Sequence, residues 1–224
     1  MRDGGKDGNL LLGVDTCGAT GSVALGRVLG DGIEVVGERM IAGGELSVSL
    51  ISGVADLLDA AGIAIADLAG IVVVPGPGTF TGIRIGLAAV KGLAEAAGLP
   101  VVTVSRLRLL AELAQAPSSV LDAHRGQVFC GFYADEPREV LMTAGEVNAM
   151  GGFAGRVGVC ESSVAQWIEE LVGEPEVVQV ASPTAADVLR AGLASWRAGT
   201  FADLATLDGY YLRGADAKLA AGRS

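Results

Sequence analysis

Residues 75–87 read Pro75-Gly76-Pro77-Gly78-Thr79-Phe80-Thr81-Gly82-Ile83-Arg84-Ile85-Gly86-Leu87. An apolar run at residues 71–74 precedes this signature segment, and a helix-like pattern over residues 84–97 follows it. Proline and glycine end a strand abruptly, and Thr79 and Thr81 are both suitable N-caps. The pattern therefore predicts a buried strand that turns directly into a helix. The N-terminus of such a helix suits an anion or a partner's carboxylate, because it presents unpaired N–H groups and the positive end of the helix dipole.

Three interpretations of the predicted turn are open. Its backbone around Gly78 and Thr79 could hold a phosphate. Alternatively, the glycines allow two backbones to pack closely, or the turn presents the helix to a partner. No lysine follows the glycines, so the segment is not a Walker A loop. Packing and docking are favoured over phosphate binding.

The composition indicates an α/β protein of one large or two small domains. The chain has 224 residues, of which 50% are hydrophobic, 4% are aromatic and 34 are glycine, so Val, Leu, Ile and Ala must form the core. The formal net charge is −10, and no run of basic residues is present. Since binding of phosphates requires clustered Lys and Arg, the chain is not expected to bind nucleic acid by itself.

The three cysteines, Cys17, Cys130 and Cys160, are far apart and odd in number, which predicts neither a disulfide framework nor a metal site. They are expected to be reduced and mostly buried. Residues 1–9 are polar and rich in glycine, and are expected to form a disordered tail rather than a signal peptide. With no apolar stretch of transmembrane length, a cytoplasmic location is expected.

Hydrophobic periodicity predicts the element order β-β-β-α-β-α-β-α for residues 10–116. A weaker repeat with strands and helices covers residues 117–224. These ranges predict a larger N-terminal lobe and a smaller, abbreviated C-terminal lobe, whose last helix can pack back on the first lobe.

The signature segment resembles the Gly-Pro-Gly-Ser-Phe-Thr-Gly-Leu-Arg-Ile-Gly motif of the TsaB family, also called YeaZ, with Thr79 in place of serine and Ile83 in place of leucine. Other segments resemble that family in the same order along the chain: residues 11–16 with 22–25, 104–107, 121–129 and 211–213. The resemblance implies the two-lobed actin-like ATPase (ASKHA) fold with an abbreviated second lobe.

The resemblance also implies a function. TsaB proteins act as non-catalytic scaffold subunits in making threonylcarbamoyladenosine in tRNA, pairing with TsaD, which transfers the threonylcarbamoyl group to the adenosine beside the anticodon, and with the ATPase TsaE. On this basis no catalytic residue and no required cofactor are expected, although ATP or ADP could bind at the partner interface. A homodimer is also implied, and tRNA would be reached only through the complex. The alternative is an independent small ATPase or peptidase of the same fold.

One departure from the family concerns histidine. Family members often carry His-Ser near the start of the first helix, where this chain has Glu45-Leu46-Ser47. The TsaD-like relatives hold a metal with a His pair on that helix. Here His124 is the single histidine, so that metal site cannot form. His124 lies beside Asp122 and Arg125, but a surface position is favoured over a role as general base.

Asp15 is the candidate ligand for a nucleotide, together with Gly78 and Thr79. In the ASKHA fold an aspartate at the end of the first strand commonly faces the phosphates, often through a metal-bound water. The other interpretation is that Asp15 caps the following turn by accepting N–H bonds, and this second interpretation is favoured.

The resemblance implies that two helices, around residues 45–61 and 83–97, form the surface that pairs with TsaD or with a second copy. Their small residues allow a close helix–helix approach. The expected interface residues are Leu46, Leu50, Ile83, Arg84, Leu87, Ala88 and Lys91. By spacings of four and three, Ile83 and Leu87 share one face of the second helix, while Arg84, Ala88 and Lys91 share the neighbouring face. One face must pack on the sheet, and the face with Ala88 is expected to meet the partner.

Overall fold

The computed structural model describes residues 9–171 and 174–212. In chain order the strands are β1 Leu10–Asp15, β2 Thr20–Leu29, β3 Gly32–Ala42, β4 Leu68–Val73, β5 Val101–Thr103, β6 Ser118–Asp122, β7 Gln127–Phe132, β8 Arg138–Thr143, β9 Arg156–Val159 and β10 Glu176–Gln179. The helices are α1 Leu46–Ala61, α2 Phe80–Ala97, α3 Arg106–Ala114, α4 Ala144–Ala149, α5 Ser162–Glu169 and α6 Ala185–Arg197.

The chain folds into two compact units that alternate along the sequence. Among the described residues, unit 1 contains 9–75, 79–104 and 184–209. Unit 2 contains 76–78, 105–183 without 172–173, and 210–212. The chain therefore passes from one unit to the other several times, and the signature segment itself contributes residues to both.

Unit 1 is built on a five-stranded sheet with the order β3-β2-β1-β4-β5. Strand β1 is antiparallel to β2 and parallel to β4, and β5 continues the parallel part. All six residues of β1 are buried, so β1 is continuously apolar up to Asp15 instead of alternating. Strand β3 lies at the edge of the sheet and alternates between half-buried and exposed residues over its first part.

Helix α6 completes unit 1, although it follows unit 2 in the sequence. Two hydrogen bonds, both donated by backbone N–H groups of its first turn, connect α6 to the sheet. The Ala185 N–H donates to Ser22 Oγ at 2.8 Å, and the Ala186 N–H donates to Glu38 Oε1 at 3.0 Å. Side chains of β2 and β3 thus satisfy donors that a helix N-terminus leaves without intrahelical partners.

Unit 2 has its own five-stranded sheet, in the order β10-β9-β6-β7-β8. Helix α3 contributes Leu107 and Leu110 to an apolar cluster with Leu121 of β6 and Phe129 of β7. A second cluster joins Ile168 of α5 to residues of β6, β7 and β9. Both clusters are formed largely by aliphatic residues, as the scarcity of aromatics requires.

The predicted α/β class and the element order over residues 10–116 are confirmed. The short helix α4 was not predicted. The longest segment of unit 2 begins at Ser105, whereas the sequence pattern places the lobe boundary between residues 116 and 117. The difference arises because α3 packs on the second sheet. The predicted tail lies outside the described residues, apart from Asn9. Arg213, the last residue of the segment that resembles the family, lies outside them as well. None of the helices within the described part of the chain is long and apolar enough to span a membrane.

Candidate functional site

The signature segment forms the predicted strand-to-helix turn. Strand β4 ends at Val73, and α2 begins at Phe80 with Thr79 at the N-cap position. The Thr79 side chain makes no capping bond, but its backbone N–H donates to the carbonyl of Cys17 at 2.9 Å. The turn after β1 is therefore bonded directly to the start of α2.

Asp15 is the last residue of β1 and is buried, 1% exposed. Its Oδ1 accepts the backbone N–H of Cys17 at 2.8 Å. This bond is the one expected of an aspartate that caps a turn. The geometry therefore agrees with the capping interpretation of Asp15.

Thr16 contacts the first turns of α2. Its hydroxyl donates to the Gly82 carbonyl at 2.7 Å. A Cβ added at Gly82 would overlap the Thr16 carbonyl oxygen, and one added at Gly86 would overlap Thr16 Oγ1. Both signature glycines thus have a packing role, since only glycine leaves room for the turn against the helix.

Helices α1 and α2 contact each other and divide their residues between two faces. Four of the expected interface residues are in the core: Leu46, Leu50, Ile83 and Leu87, which are at most 5% exposed. These four cannot form a partner surface while unit 1 is folded, because they already pack inside it. Arg84 and Ala88 are exposed.

Five of the exposed residues of this helix pair define what we call the outer face: Val48, Ile51, Phe80, Arg84 and Ala88. The three large apolar side chains are 75%, 52% and 55% exposed, respectively. The sequence analysis missed these three residues. The available signal was the position of Val48, which lies on the side of α1 away from the buried Leu46, Leu50 and Leu57. Exposed apolar residues grouped on neighbouring helices are typical of interaction surfaces.

Lys91 was expected at the rim of this surface as a second cation. Instead its Nζ donates to the carbonyl of Leu207 at 2.9 Å. The ammonium group is half-buried against the segment that follows α6. Lys91 therefore holds unit 1 together and is not a free charge for a partner.

The His124 turn connects β6 and β7 in unit 2. The His124 N–H donates to Asp122 Oδ1 at 2.6 Å, and His124 Nδ1 lies 3.1 Å from Asp122 Oδ2. The His124 side chain is 77% exposed, which fits a surface residue. The described residues contain no group of three or more His, Cys, Asp or Glu that could hold a metal ion.

Two of the three cysteines, Cys130 and Cys160, have thiols that favour the protonated form. Burial raises the pKa of Cys130 to about 12, and burial followed by the nearby Glu161 carboxylate raises the pKa of Cys160 to about 12. Cys17 is fully buried, with its Sγ 3.3 Å from the Val74 carbonyl. A nucleophilic cysteine needs its thiolate at neutral pH, so these thiols are suited to packing.

A polar cluster in unit 2 had no recognisable signal in the sequence. The Tyr133 hydroxyl donates to Glu139 Oε1 at 2.6 Å. Burial, and then Glu139, raise the pKa values of Tyr133 and Tyr210, the latter to about 12. The two tyrosines are far apart in the sequence, so only the fold brings them to the same carboxylate, that of Glu139.

Comparison with known proteins gives one family. A family model described as TsaD, tRNA N6-adenosine threonylcarbamoyltransferase, matches residues 40–206. The tRNA threonylcarbamoyladenosine biosynthesis protein TsaB of Bacillus subtilis is 41% identical over 91 residues, which cover 39% of this chain and 40% of that protein. TsaB of Escherichia coli is 32% identical over 129 residues, covering 55% of this chain and 54% of that protein. The matched part thus spans about half the length of these relatives or less.

Solved structures give the same family over a longer range. The structure of YeaZ from Pseudomonas aeruginosa matches with a TM-score of 0.72 and 26% identity, covering 91% of this chain and 100% of that chain. Component A of the (R)-2-hydroxyglutaryl-CoA dehydratase of Acidaminococcus fermentans matches with a TM-score of 0.51 and 13% identity, over 86% of this chain and 99% of that chain. The second likeness concerns the fold alone.

The contact between Thr16 and α2 predicts opposite effects of two glycine substitutions in one helix. Gly82→Ala should destabilise the protein by about 1–3 kcal/mol, because the new methyl group meets a backbone carbonyl that must move. Gly92→Ala is the matched control, since a Cβ there meets nothing within 4 Å. It should stabilise the protein by roughly 0.5–1 kcal/mol. Urea unfolding of both variants measures the difference, and equal stabilities would contradict the packing role of Gly82.

The raised thiol pKa values predict slow alkylation of the native protein. At pH 8 a thiol with a pKa of about 12 is almost entirely protonated, and only the thiolate is the nucleophile. Iodoacetamide should leave Cys130 and Cys160 unmodified in buffer and modify both in urea, as measured by mass spectrometry. Modification of either cysteine within minutes in the native state would contradict the burial assigned to it.

Proposed function

We propose that the chain is a non-catalytic subunit in the formation of threonylcarbamoyladenosine in tRNA. The reason is that it belongs to the TsaB/YeaZ proteins of the tRNA N6-adenosine threonylcarbamoyltransferase family. In this role it pairs with TsaD, and with TsaE, in the cytoplasm. The observation that carries the proposal is the outer face of α1 and α2, where three large apolar side chains and the small Ala88 remain exposed.

The contacts of the first turn support a scaffold role. Asp15 is bonded to the turn that follows it, and Thr16 fills the space beside Gly82 and Gly86. Groups that a nucleotide-binding member of the fold would turn towards phosphates thus have structural partners here. We propose that no cofactor is required by the subunit itself, and that ATP or ADP, where it takes part, binds at the interface with the partner.

The second unit supports the same role. Its helices α3, α4 and α5 have 9, 6 and 8 residues, whereas α1, α2 and α6 of unit 1 have 16, 18 and 13. We take unit 2 as an abbreviated lobe of the actin-like ATPase fold on this ground. A shortened lobe offers less structure for enclosing a nucleotide.

The charge of the chain supports contact with tRNA only through the complex. The net charge of −10 repels the phosphate backbone. The charge therefore favours an arrangement in which a partner binds the tRNA. A homodimer through the outer face would compete with TsaD for the same residues.

Substitution of Ala88 tests the proposed surface. Ala88 is exposed, so Ala88→Arg should leave the thermal melt unchanged. It should weaken association with the TsaD protein of the same organism by roughly 100-fold or more, because a bulky charge at a close helix contact cannot be desolvated without penalty. Analytical ultracentrifugation of mixtures measures the association.

A matched control is Ala194→Arg, which adds the same side chain at an exposed position of α6. It should bind TsaD like the unmodified protein. Wild-type affinity in the Ala88 variant would place the contact elsewhere on the protein. Loss of folding in that variant would mean that the two faces of α2 are assigned the wrong way round.

Assays of ATP hydrolysis distinguish the scaffold from an independent ATPase. The purified protein alone should show no turnover of ATP and no peptidase activity, whereas a mixture with TsaD and TsaE should support the modification of tRNA. Steady hydrolysis by the protein alone that is abolished by Asp15→Ala would establish the enzyme instead. Because Asp15 caps a buried turn, the variant must be shown to be folded by circular dichroism.

A further inference from the structure

The first turns of α2 carry a stacked pair on the outer face. The guanidinium carbon of Arg84 lies 3.7 Å from the centroid of the Phe80 ring. The two residues are four apart in the helix, which places their side chains next to each other. Phe80 is 55% exposed and Arg84 is exposed as well. The stack is therefore formed at the surface, without a partner present.

Arg84 differs from the other cations near this surface. Arg39 of β3 pairs with Asp56 of α1 at 3.7 Å, and Lys91 is bonded to the Leu207 carbonyl. Across residues 9–171 and 174–212, Arg84 forms no ion pair with a carboxylate. Its guanidinium carbon lies over the Phe80 ring, and the residue as a whole is exposed.

A guanidinium held in this way is suited to a carboxylate. Its N–H donors lie in one plane and match both oxygens of a carboxylate, with two parallel hydrogen bonds. The ring holds the side chain in place before a partner arrives, so little conformational freedom remains to be lost on binding. A lysine can supply the charge but not the planar pair of donors.

We infer that the Phe80–Arg84 pair recognises a carboxylate of the partner subunit, an Asp or Glu on the element of TsaD that packs on the outer face. This inference rests on the proposed function and adds the chemistry of the contact. A second copy of the chain is the less suitable occupant. A two-fold contact brings the same surface against itself, and the exposed acids of the helix pair, Asp56, Asp59 and Glu95, lie outside the five outer-face residues.

The test compares TsaD binding by variants of this pair, using calorimetry at several salt concentrations. Arg84→Gln should weaken binding at least roughly tenfold, and should flatten the dependence of the affinity on salt because one charge pair is lost. Arg84→Lys should lose most of the same affinity, since it retains the charge but not the planar donors. Phe80→Leu should give an intermediate loss. Thermal melts should be unchanged for the arginine variants.

The control for net charge is Arg190→Gln on α6, where Arg190 pairs with Asp187 at 2.9 Å. It should bind TsaD with wild-type affinity. Wild-type affinity of either Arg84 variant would overturn the inference while leaving the proposed function intact. Weakening of a homodimer to the same extent as the TsaD complex would also overturn it. If the unmodified protein forms no complex with TsaD, the proposed function fails, and the inference fails with it.

Discussion

The contact between Thr16 and the first turns of α2 is the constraint on which unit 1 depends. The turn after β1 and the start of α2 are joined by the Thr16 hydroxyl and by the Thr79 N–H. The approach is so close that residues 82 and 86 must lack a side chain. One strand end therefore fixes the position of an 18-residue helix. The rest of unit 1, including the surface that α2 presents, follows from that position.

With α2 fixed, helical periodicity decides what remains outside. Ile83, Leu87 and Val90 face the core, at most 5% exposed, so the stripe through Arg84 and Ala88 must face away from it. Helix α1 is divided in the same way, with its leucines inside and Val48 and Ile51 outside. The two helices thus carry more hydrophobic residues than fit on the one face that packs against the core. The remaining ones are exposed and form the apolar part of the outer face.

Much of the fold could be predicted from the sequence, because strands ended by Gly, Pro or Asp and helices with 3.6-residue periodicity are local signals. The boundary of unit 2 could not be predicted. Helix α3 is amphipathic, and its sequence alone does not indicate which of the two sheets its leucines pack against. Helix α4 was missed although Thr143 and Glu146 form a capping box, because six residues are too few for periodicity. Of the candidate site, the two faces of α2 were predictable from spacing. The hydrogen bond from Lys91 to the Leu207 carbonyl joins residues 116 positions apart in the sequence, so it had no local signal.

The N-terminus of α2 is bonded to the turn after β1. Binding of another molecule by α2 therefore depends on its side chains. A helix N-terminus can bind an anion through its free N–H groups. Here Thr79 at that end donates its N–H to the Cys17 carbonyl. The turn after β1 therefore takes part of the donor capacity that a phosphate would need. What α2 offers to another molecule is then the exposed Phe80 and Ala88 together with the guanidinium of Arg84 over the Phe80 ring. Exposed apolar side chains beside a single cation fit a folded protein better than a small anionic substrate.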